Sequence, residues 1–195
     1  MKRPCLTPML IVCLAVASST FAAQRVVVLD PSASSVSFTL DTTFHVVHGT
    51  MVLSGGTIRF DPKTGEASGT ITVDARRAET GNTGRDKNMH TEVLESSLYP
   101  TIVFALQRVE GTLADSGRSE LRLVGVMTLH GADHPMTLTA SVETAKERVR
   151  GEMRFPVPYV EWGLKDPSLL VVRAAKTVDL VVRVEGRLDD GAVPR

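Results

Sequence analysis

Residues 81–104 read GNTGRDKNMHTEVLESSLYPTIVF, and this stretch separates two runs of strand-like sequence. It opens on turn-forming residues, among which Asn82 or Thr83 could accept the first free N–H groups of a helix as its N-cap. Pro100 closes the stretch, because proline cannot continue a helix and disfavours helical backbone at the residue before it. The stretch therefore predicts one short helix with defined ends.

The apolar residues of this helix lie along one edge. Met89, Val93 and Leu94 recur at helical spacing, and the charged residues lie mostly off that edge. After the helix, apolar residues alternate along residues 102–106, as they do in a strand. We therefore expect the helix to be a flap that covers the end or the side of a β-structure.

The first residues have the pattern of a secretory signal peptide. Lys2 and Arg3 form a short basic region, residues 10–17 are apolar, and small residues precede a cleavage position near residue 22. The apolar run is too short to span a membrane comfortably. We therefore expect a signal peptide at 1–22 and a periplasmic or secreted protein.

Composition predicts a single domain without disulfides. The chain has 195 residues, of which 43% are hydrophobic, and this suits one domain with a substantial core. Both cysteines, Cys5 and Cys13, lie in the predicted signal peptide, so thiol chemistry is excluded from the mature chain. Without the signal peptide acidic residues outnumber basic ones by two, which argues against a nucleic-acid-binding surface. We expect a domain at 23–188 and a flexible tail at 189–195.

Most of the chain alternates between apolar and polar residues in about eight to ten short strands. Residues 36–40 and 136–143 show the pattern most clearly. Turns are predicted at residues 30–35, and at Ser54-Gly55-Gly56 as a hairpin. Consecutive strands without intervening helices favour an antiparallel barrel or sandwich. A closed barrel would point the apolar face inward and remove exposed edges.

Several short motifs occur in order along residues 26–188. They are Val36-Ser37-Phe38, residues 44–49, Ile58-Arg59-Phe60-Asp61-Pro62, Thr80-Gly81 with Arg85-Asp86, Tyr99-Pro100 with Ile102 and Phe104, residues 124–131, and residues 178–185. Together they resemble the YceI-like family of lipid- and polyisoprenoid-binding proteins. The resemblance covers almost all of the mature chain.

The resemblance implies a mainly all-β fold, a lipocalin-like antiparallel β-barrel of about eight strands with one short helix packed over it. It also implies a long apolar tunnel that holds an isoprenoid chain, such as a polyprenyl or quinone tail, and a location in the periplasm. The expected partner is thus a hydrophobic small-molecule lipid, with no other cofactor. We expect neither nucleic-acid binding nor stable membrane insertion, and a homodimer stays open.

The inward-facing apolar residues either line this tunnel or fill a solid core. Aromatic residues make up only 5% of the chain, and its methionines are flexible, so both features favour a cavity. The predicted lining is Phe38, Leu40, Phe44, Phe60, Ile71, Val73, Met89, Val93, Phe104, Leu123, Met127, Leu138, Phe155 and Trp162.

A polar head group would meet the start of the flap. Arg85, Lys87 and His90 are the predicted entrance residues, near helix N-terminal amides that favour an anion. The alternative is that Arg85 and Asp86 form a pair that holds the flap on a barrel strand. Trp162 is either a residue of the mouth or part of the core.

The histidines suggest another class of function. His130 and His134 flank a turn and could converge with His90 or His48 on a zinc or iron ion. This alternative is a His-based metal-binding barrel or a metal-dependent enzyme. A third hypothesis is a filled barrel that acts as a protein-interaction module.

Catalytic motifs do not support an enzyme. The sequence has no Gly-x-Ser-x-Gly, no Gly-rich phosphate loop and no His-Glu-x-x-His. We therefore predict a binding protein that acts as a carrier or store, with no catalytic residues and no metal site.

Overall fold

The computed structural model describes residues 24–168 and 171–190, and these residues form a closed antiparallel β-barrel. The strands are β1 (Arg25–Asp41), β2 (Val46–Phe60), β3 (Ala67–Glu79), β4 (Thr101–Glu110), β5 (Gly117–Leu129), β6 (Ala132–Ala145), β7 (Arg148–Val157) and β8 (Val178–Asp190). Each strand pairs with the next in the chain, and β8 pairs with β1 to close the barrel. The lipocalin-like barrel of about eight strands with one short helix is confirmed.

The helix α1 (Thr83–Asn88) lies between β3 and β4 and continues into a π-helical turn at Met89–Val93. Asn82 is its N-cap, because the side-chain Oδ1 accepts a hydrogen bond of 2.9 Å from the backbone N–H of Arg85. We call residues 83–94 the flap. The signal peptide predicted at 1–22 lies outside the described residues. In the part of the chain that the structure describes, no helix is long and apolar enough to cross a membrane.

The barrel has two different ends. The mouth is the end at which the odd-numbered strands finish and where the flap connects β3 to β4. The opposite half is packed with buried apolar side chains, and we call it the closed half. Its core includes Val27, Phe60, Val109, Leu121, Leu123, Val142, Val149, Val184 and Leu188. Burial of these side chains is the main favourable contribution to closing the barrel.

Two predicted turns are wrong. Residues 30–35 lie within β1, and Ser54-Gly55-Gly56 lies within β2. The β1–β2 register shifts between Val28 and Val36, and the β2–β3 register shifts between Leu53 and Gly55. Extra residues at such bulges bend and twist a strand without reversing it, and a barrel needs this curvature. In both segments the polar and glycine-rich residues form an irregularity within a strand, whereas the sequence predicts a turn.

The last strand is longer than predicted. β8 runs to Asp190, which pairs with Arg25 of β1, so the strand includes the first two residues of the predicted tail 189–195. Residues 191–195 lie outside the described residues. The C-terminal strand thereby closes the barrel along β1 from Arg25 to Thr39, with a register shift between Asp30 and Ser35.

Candidate functional site

A cavity of about 570 Å³ occupies the mouth half of the barrel. Side chains from all eight strands line it, together with the flap and the segments on either side of residues 169–170. The lining residues are Val36, Phe38, Leu40, Thr42, His45, Val47, Met51, Ile71, Val73, Thr80, Gly84, Arg85, Asn88, Met89, Val93, Leu94, Ile102, Phe104, Met127, Leu129, Leu138, Met153, Phe155, Val157, Tyr159, Leu164, Pro167, Val172, Ala174, Val178, Leu180 and Val182. Most of them are apolar, so the cavity suits an apolar ligand.

Most of the residues predicted to line a tunnel lie in this wall. They are Phe38, Leu40, Ile71, Val73, Met89, Val93, Phe104, Met127, Leu138 and Phe155. Period-two alternation predicts which side of a strand faces inward, and the eight of these residues that lie on strands all face inward in the mouth half. The flap contributes Met89 and Val93 through the apolar edge that the sequence predicts.

Four predicted lining residues lie elsewhere. Phe44 is 69% exposed and precedes β2, so strand alternation does not apply to it. Phe60 and Leu123 face inward but are buried in the closed half, below the cavity. Trp162 stacks on His134, with ring centroids 3.9 Å apart and planes 5° apart. Sequence alternation does not report how far along the barrel axis a residue lies.

Other residues that line the cavity are not among those predicted from the sequence. On the strands these include Val36, Met51, Ile102, Met153, Leu180 and Val182. Their alternation with polar neighbours would have identified several of them. Tyr159 and Leu164 lie in a turn without periodicity, and no sequence signal points to them.

Two inward-facing glycines shape the cavity wall. A Cβ atom at Gly49 would lie 2.1 Å from Cζ of Phe38, and one at Gly125 would lie 2.8 Å from Cζ of Phe104. Each phenyl ring therefore lies against the backbone of a neighbouring strand. This packing removes the rings from the centre of the barrel and leaves space for a ligand.

Among the three predicted entrance residues, Arg85 lines the cavity. Its Nε donates to Oγ1 of Thr80 at 2.7 Å, and its Nη2 donates to the backbone oxygen of Thr80 at 3.1 Å. Asp86 accepts a hydrogen bond of 2.8 Å from the backbone N–H of Thr80 and another from its hydroxyl group. Arg85 and Asp86 thus both bind Thr80, and this shared partner holds the flap on the end of β3.

The other two predicted entrance residues do not line the cavity. Lys87 is exposed on the outer side of α1. The ring of His90 hydrogen-bonds through Nδ1 to Oγ of Ser96 and through Nε2 to the backbone oxygen of Ala78, both at 2.9 Å. His90 therefore connects the flap to β3 and does not face a ligand.

The remaining contacts hold the flap at its other end. Nε2 of His130 lies 2.7 Å from Oε2 of Glu95, and both residues have positive φ, 53° and 42°. Non-glycine residues adopt this conformation at a cost, so neighbouring contacts must maintain it. Glu92 also forms an ion pair with Lys165 across the mouth. The flap and Glu95, the residue that follows it, are therefore fixed to three separate parts of the barrel.

The histidines of the metal hypothesis are not brought together. His130 contacts Glu95 and Tyr99, and His134 stacks on Trp162. Nδ1 of His48 lies 3.3 Å from the Thr39 hydroxyl. Within residues 24–168 and 171–190, no three or more His, Cys, Asp or Glu side chains are placed to hold a metal ion.

A seam runs down the mouth half of the wall between β6 and β7. These strands pair only from Ala140–Met153 to Ala145–Arg148, whereas β7 continues to pair with β8 up to Val157. His134 lies in the part of β6 that does not pair with β7, and Trp162 lies in the turn that follows β7. The two rings stack, so this aromatic contact connects β6 to the turn where the two strands form no backbone pairs.

Tyr159 connects this turn to the segment before β8. Its hydroxyl group donates to the backbone oxygen of Ala175 at 2.7 Å. Burial, and secondarily the negative charge of Asp166, raise the pKa of Tyr159 to about 12. The phenol is therefore neutral in the folded protein over a wider pH range than in an unfolded chain.

We expect the free energy of unfolding to fall as the pH rises from about 10 to about 12. In this window the phenol of the unfolded chain loses its proton while that of the folded protein keeps it. Urea denaturation across this range measures the effect. Tyr159→Phe should lose less stability over this range than the wild type, and an equal loss in both proteins would contradict the assignment.

The sequence is similar to one protein family and to individual bacterial proteins. Residues 28–186 match the YceI-like domain. Protein YceI of Escherichia coli is 26% identical over 148 residues, which cover 72% of this chain and 73% of that protein. A UPF0312 protein of Vibrio cholerae is 29% identical over 134 residues, which cover 67% of this chain and 69% of that protein.

Solved structures share the barrel. BcnA of Burkholderia cenocepacia superposes with a TM-score of 0.68 at 15% identity, covering 80% of this chain and 98% of BcnA. A polyisoprenoid binding domain from Saccharophagus degradans, implicated in plant cell wall breakdown, gives a TM-score of 0.65 at 14% identity and covers 84% of this chain and 98% of that domain. At these identities the likeness concerns the fold.

Proposed function

Because the chain belongs to the YceI-like family, we propose that it binds a long apolar lipid, such as an isoprenoid chain, in the mouth-half cavity. The observation that carries this proposal is the apolar cavity of about 570 Å³ inside a closed barrel. The polyisoprenoid-binding domain of similar fold supports it. The protein acts as a carrier or store without turnover, and the predicted signal peptide supports a periplasmic or secreted location.

Binding is driven by removal of the lipid tail from water. Each Å² of apolar surface that leaves water contributes about 25 cal/mol, so a long tail binds tightly without specific polar contacts. The closed barrel forms the cavity in advance, which limits the ordering cost of binding. Flexible side chains such as Met51, Met127 and Met153 adapt the wall to the methyl branches of a prenyl tail.

Arg85 receives the polar head group at the mouth. Its Nε and Nη2 are used to bind Thr80, which fixes the guanidinium at the cavity wall. Within the described part of the chain Nη1 has no hydrogen bond that competes with a ligand. A phosphate or another acceptor at the head of the lipid would bind there through a charge-assisted hydrogen bond.

The saturable binding of geranylgeraniol tests the proposal. Calorimetric titration of the mature protein should give one site with a negative heat-capacity change, since the tail buries apolar surface. Titrations at several temperatures measure that change. Absence of saturable binding would refute the proposed function.

Arg85→Met should weaken the binding of geranylgeranyl phosphate about tenfold, because a hydrogen bond to a charged group contributes about 1.5–3 kcal/mol. The binding of geranylgeraniol should change much less, since its head group carries no charge. Competition with a fluorescent lipid probe measures both affinities.

Lys87→Met is the matched control. It also removes one positive charge, and Lys87 lies two residues after Arg85 but does not line the cavity. It should leave both affinities within about twofold, as expected for an exposed charge. An equal loss of affinity for geranylgeranyl phosphate in the two variants would contradict a direct head-group contact by Arg85. The effect would then come from the overall electrostatic potential of the protein.

A further inference from the structure

The cavity ends halfway along the barrel. Phe60, Leu123 and Val184 face inward and are 6%, 8% and 8% exposed, yet they lie outside the cavity lining. They belong to the closed half, in which apolar side chains fill the barrel. A lipid tail that enters at the mouth therefore meets a floor of packed side chains.

The cavity volume limits how much of a ligand is enclosed. A water molecule occupies about 30 Å³ in the liquid, and we use the same volume for each carbon atom of a lipid tail. A cavity of about 570 Å³ then holds on the order of 20 such atoms. About 20 carbon atoms correspond to a tail of about four isoprene units.

The depth of the cavity leads to a similar limit. On β1 the lining extends from Val36 to Leu40 and onward to Thr42. At about 3.3 Å per residue this path is about 20 Å long, and a strand tilt of about 40° reduces the depth along the barrel axis to about 15 Å. An extended chain advances about 1.1–1.2 Å per bond, so about 13–14 bonds span the depth along the axis and about 17–18 bonds follow the tilted path along the wall.

We infer that the cavity encloses about 15–20 carbon atoms of the tail of a single-chain amphiphile, and that any longer tail leaves its remainder outside the barrel. This inference rests on the proposed function and specifies its ligand class. Carbon atoms that stay in water contribute nothing to affinity. Affinity should therefore rise with tail length up to the capacity of the cavity and then stay constant.

A series of prenyl alcohols tests this limit with the native chain. Geraniol, farnesol, geranylgeraniol and octaprenol share one hydroxyl head group, so only the tail differs. Each is titrated against the mature protein by displacement of one fluorescent probe, with the same cyclodextrin as carrier. We expect at least about tenfold tighter binding for each isoprene unit added up to geranylgeraniol. From geranylgeraniol to octaprenol the dissociation constant should change less than about threefold.

A second experiment makes the cavity shallower by placing a larger side chain at its inner end. Val182 lines the cavity at the level of Val36 and Met153, with which it pairs, and Val181 faces the other side of β8. Val182→Trp should move the plateau from geranylgeraniol to farnesol, whereas Val181→Trp should leave it unchanged. Circular dichroism verifies that both variants are folded.

The outcomes separate this inference from the function on which it rests. If no prenyl alcohol binds, the proposed function is wrong. If binding continues to tighten through octaprenol, the function holds but the length limit is wrong. A plateau at the same tail length in wild type and in folded Val182→Trp would also overturn the limit, because the floor would then not set it.

Discussion

Leu138→Arg should weaken lipid binding by at least about 100-fold. Leu138 is 4% exposed, faces inward on β6 and lines the cavity among apolar side chains. An arginine there would place an unpaired charge beside the tail, and burying such a charge costs several kcal/mol. A loss of about 2.7 kcal/mol already corresponds to a factor of 100 in the dissociation constant. Titration with geranylgeraniol measures the loss.

Thr139→Arg is the control for this variant. Thr139 follows Leu138 on the same strand but is exposed on the outer surface. It should bind lipid like the wild type, since its charge stays in water. Equal binding by Leu138→Arg and Thr139→Arg would contradict the cavity as the binding site.

Because a buried arginine also threatens folding, a second variant tests the same site. Leu180 lines the cavity on β8 but is only partly buried. Leu180→Arg should keep the circular dichroism spectrum of the barrel and lose lipid binding as strongly. A folded Leu180→Arg protein with unchanged affinity would contradict the account in the same way.

Gly49→Ala should destabilise the barrel by about 1–3 kcal/mol, the usual cost of overpacking. The added Cβ would lie 2.1 Å from the Phe38 ring and 2.7 Å from the backbone oxygen of Glu79. The ring would move into the cavity, and the two strands would separate slightly. For a domain of this size the melting temperature should fall by about 2–4 °C per kcal/mol. Thermal denaturation measures it.

Gly84→Ala should have the opposite effect on stability. Gly84 lies in α1, and a Cβ there would lie 3.5 Å from Oδ1 of Asn82, an ordinary contact. Alanine in a helix is more stable than glycine by about 0.5–1 kcal/mol. A Gly49→Ala protein as stable as Gly84→Ala would show that Phe38 does not pack on the strand backbone.

Much of the fold could be predicted because a barrel strand has only two sides. Alternation placed Phe38, Ile71, Phe104 and Leu138 on the inner side, where the structure has them. The flap could be predicted for the same reason, because helical spacing put Met89 and its neighbours on one edge. In both elements a local period in the sequence determines which way a side chain points.

What could not be predicted depends on long-range geometry. Phe60 and Leu123 obey the same alternation as the lining residues, but strand register places them in the closed half. Gly55 lies in a segment whose residue types are typical of a turn. In the structure β2 and β3 remain paired on both sides of the register shift at this position. His90 and Lys87 are close to Arg85 in sequence, but helical geometry turns only Arg85 towards the cavity.

Native mass spectrometry of the protein, purified without detergent, tests the central claim most directly. Organic extraction of the same sample identifies what the barrel holds. We expect the protein with one bound lipid, whose extracted masses form a series spaced by isoprene or acyl units. A protein that is empty on isolation, and that stays empty after incubation with geranylgeraniol and geranylgeranyl phosphate, would contradict the claim that the cavity binds a lipid tail.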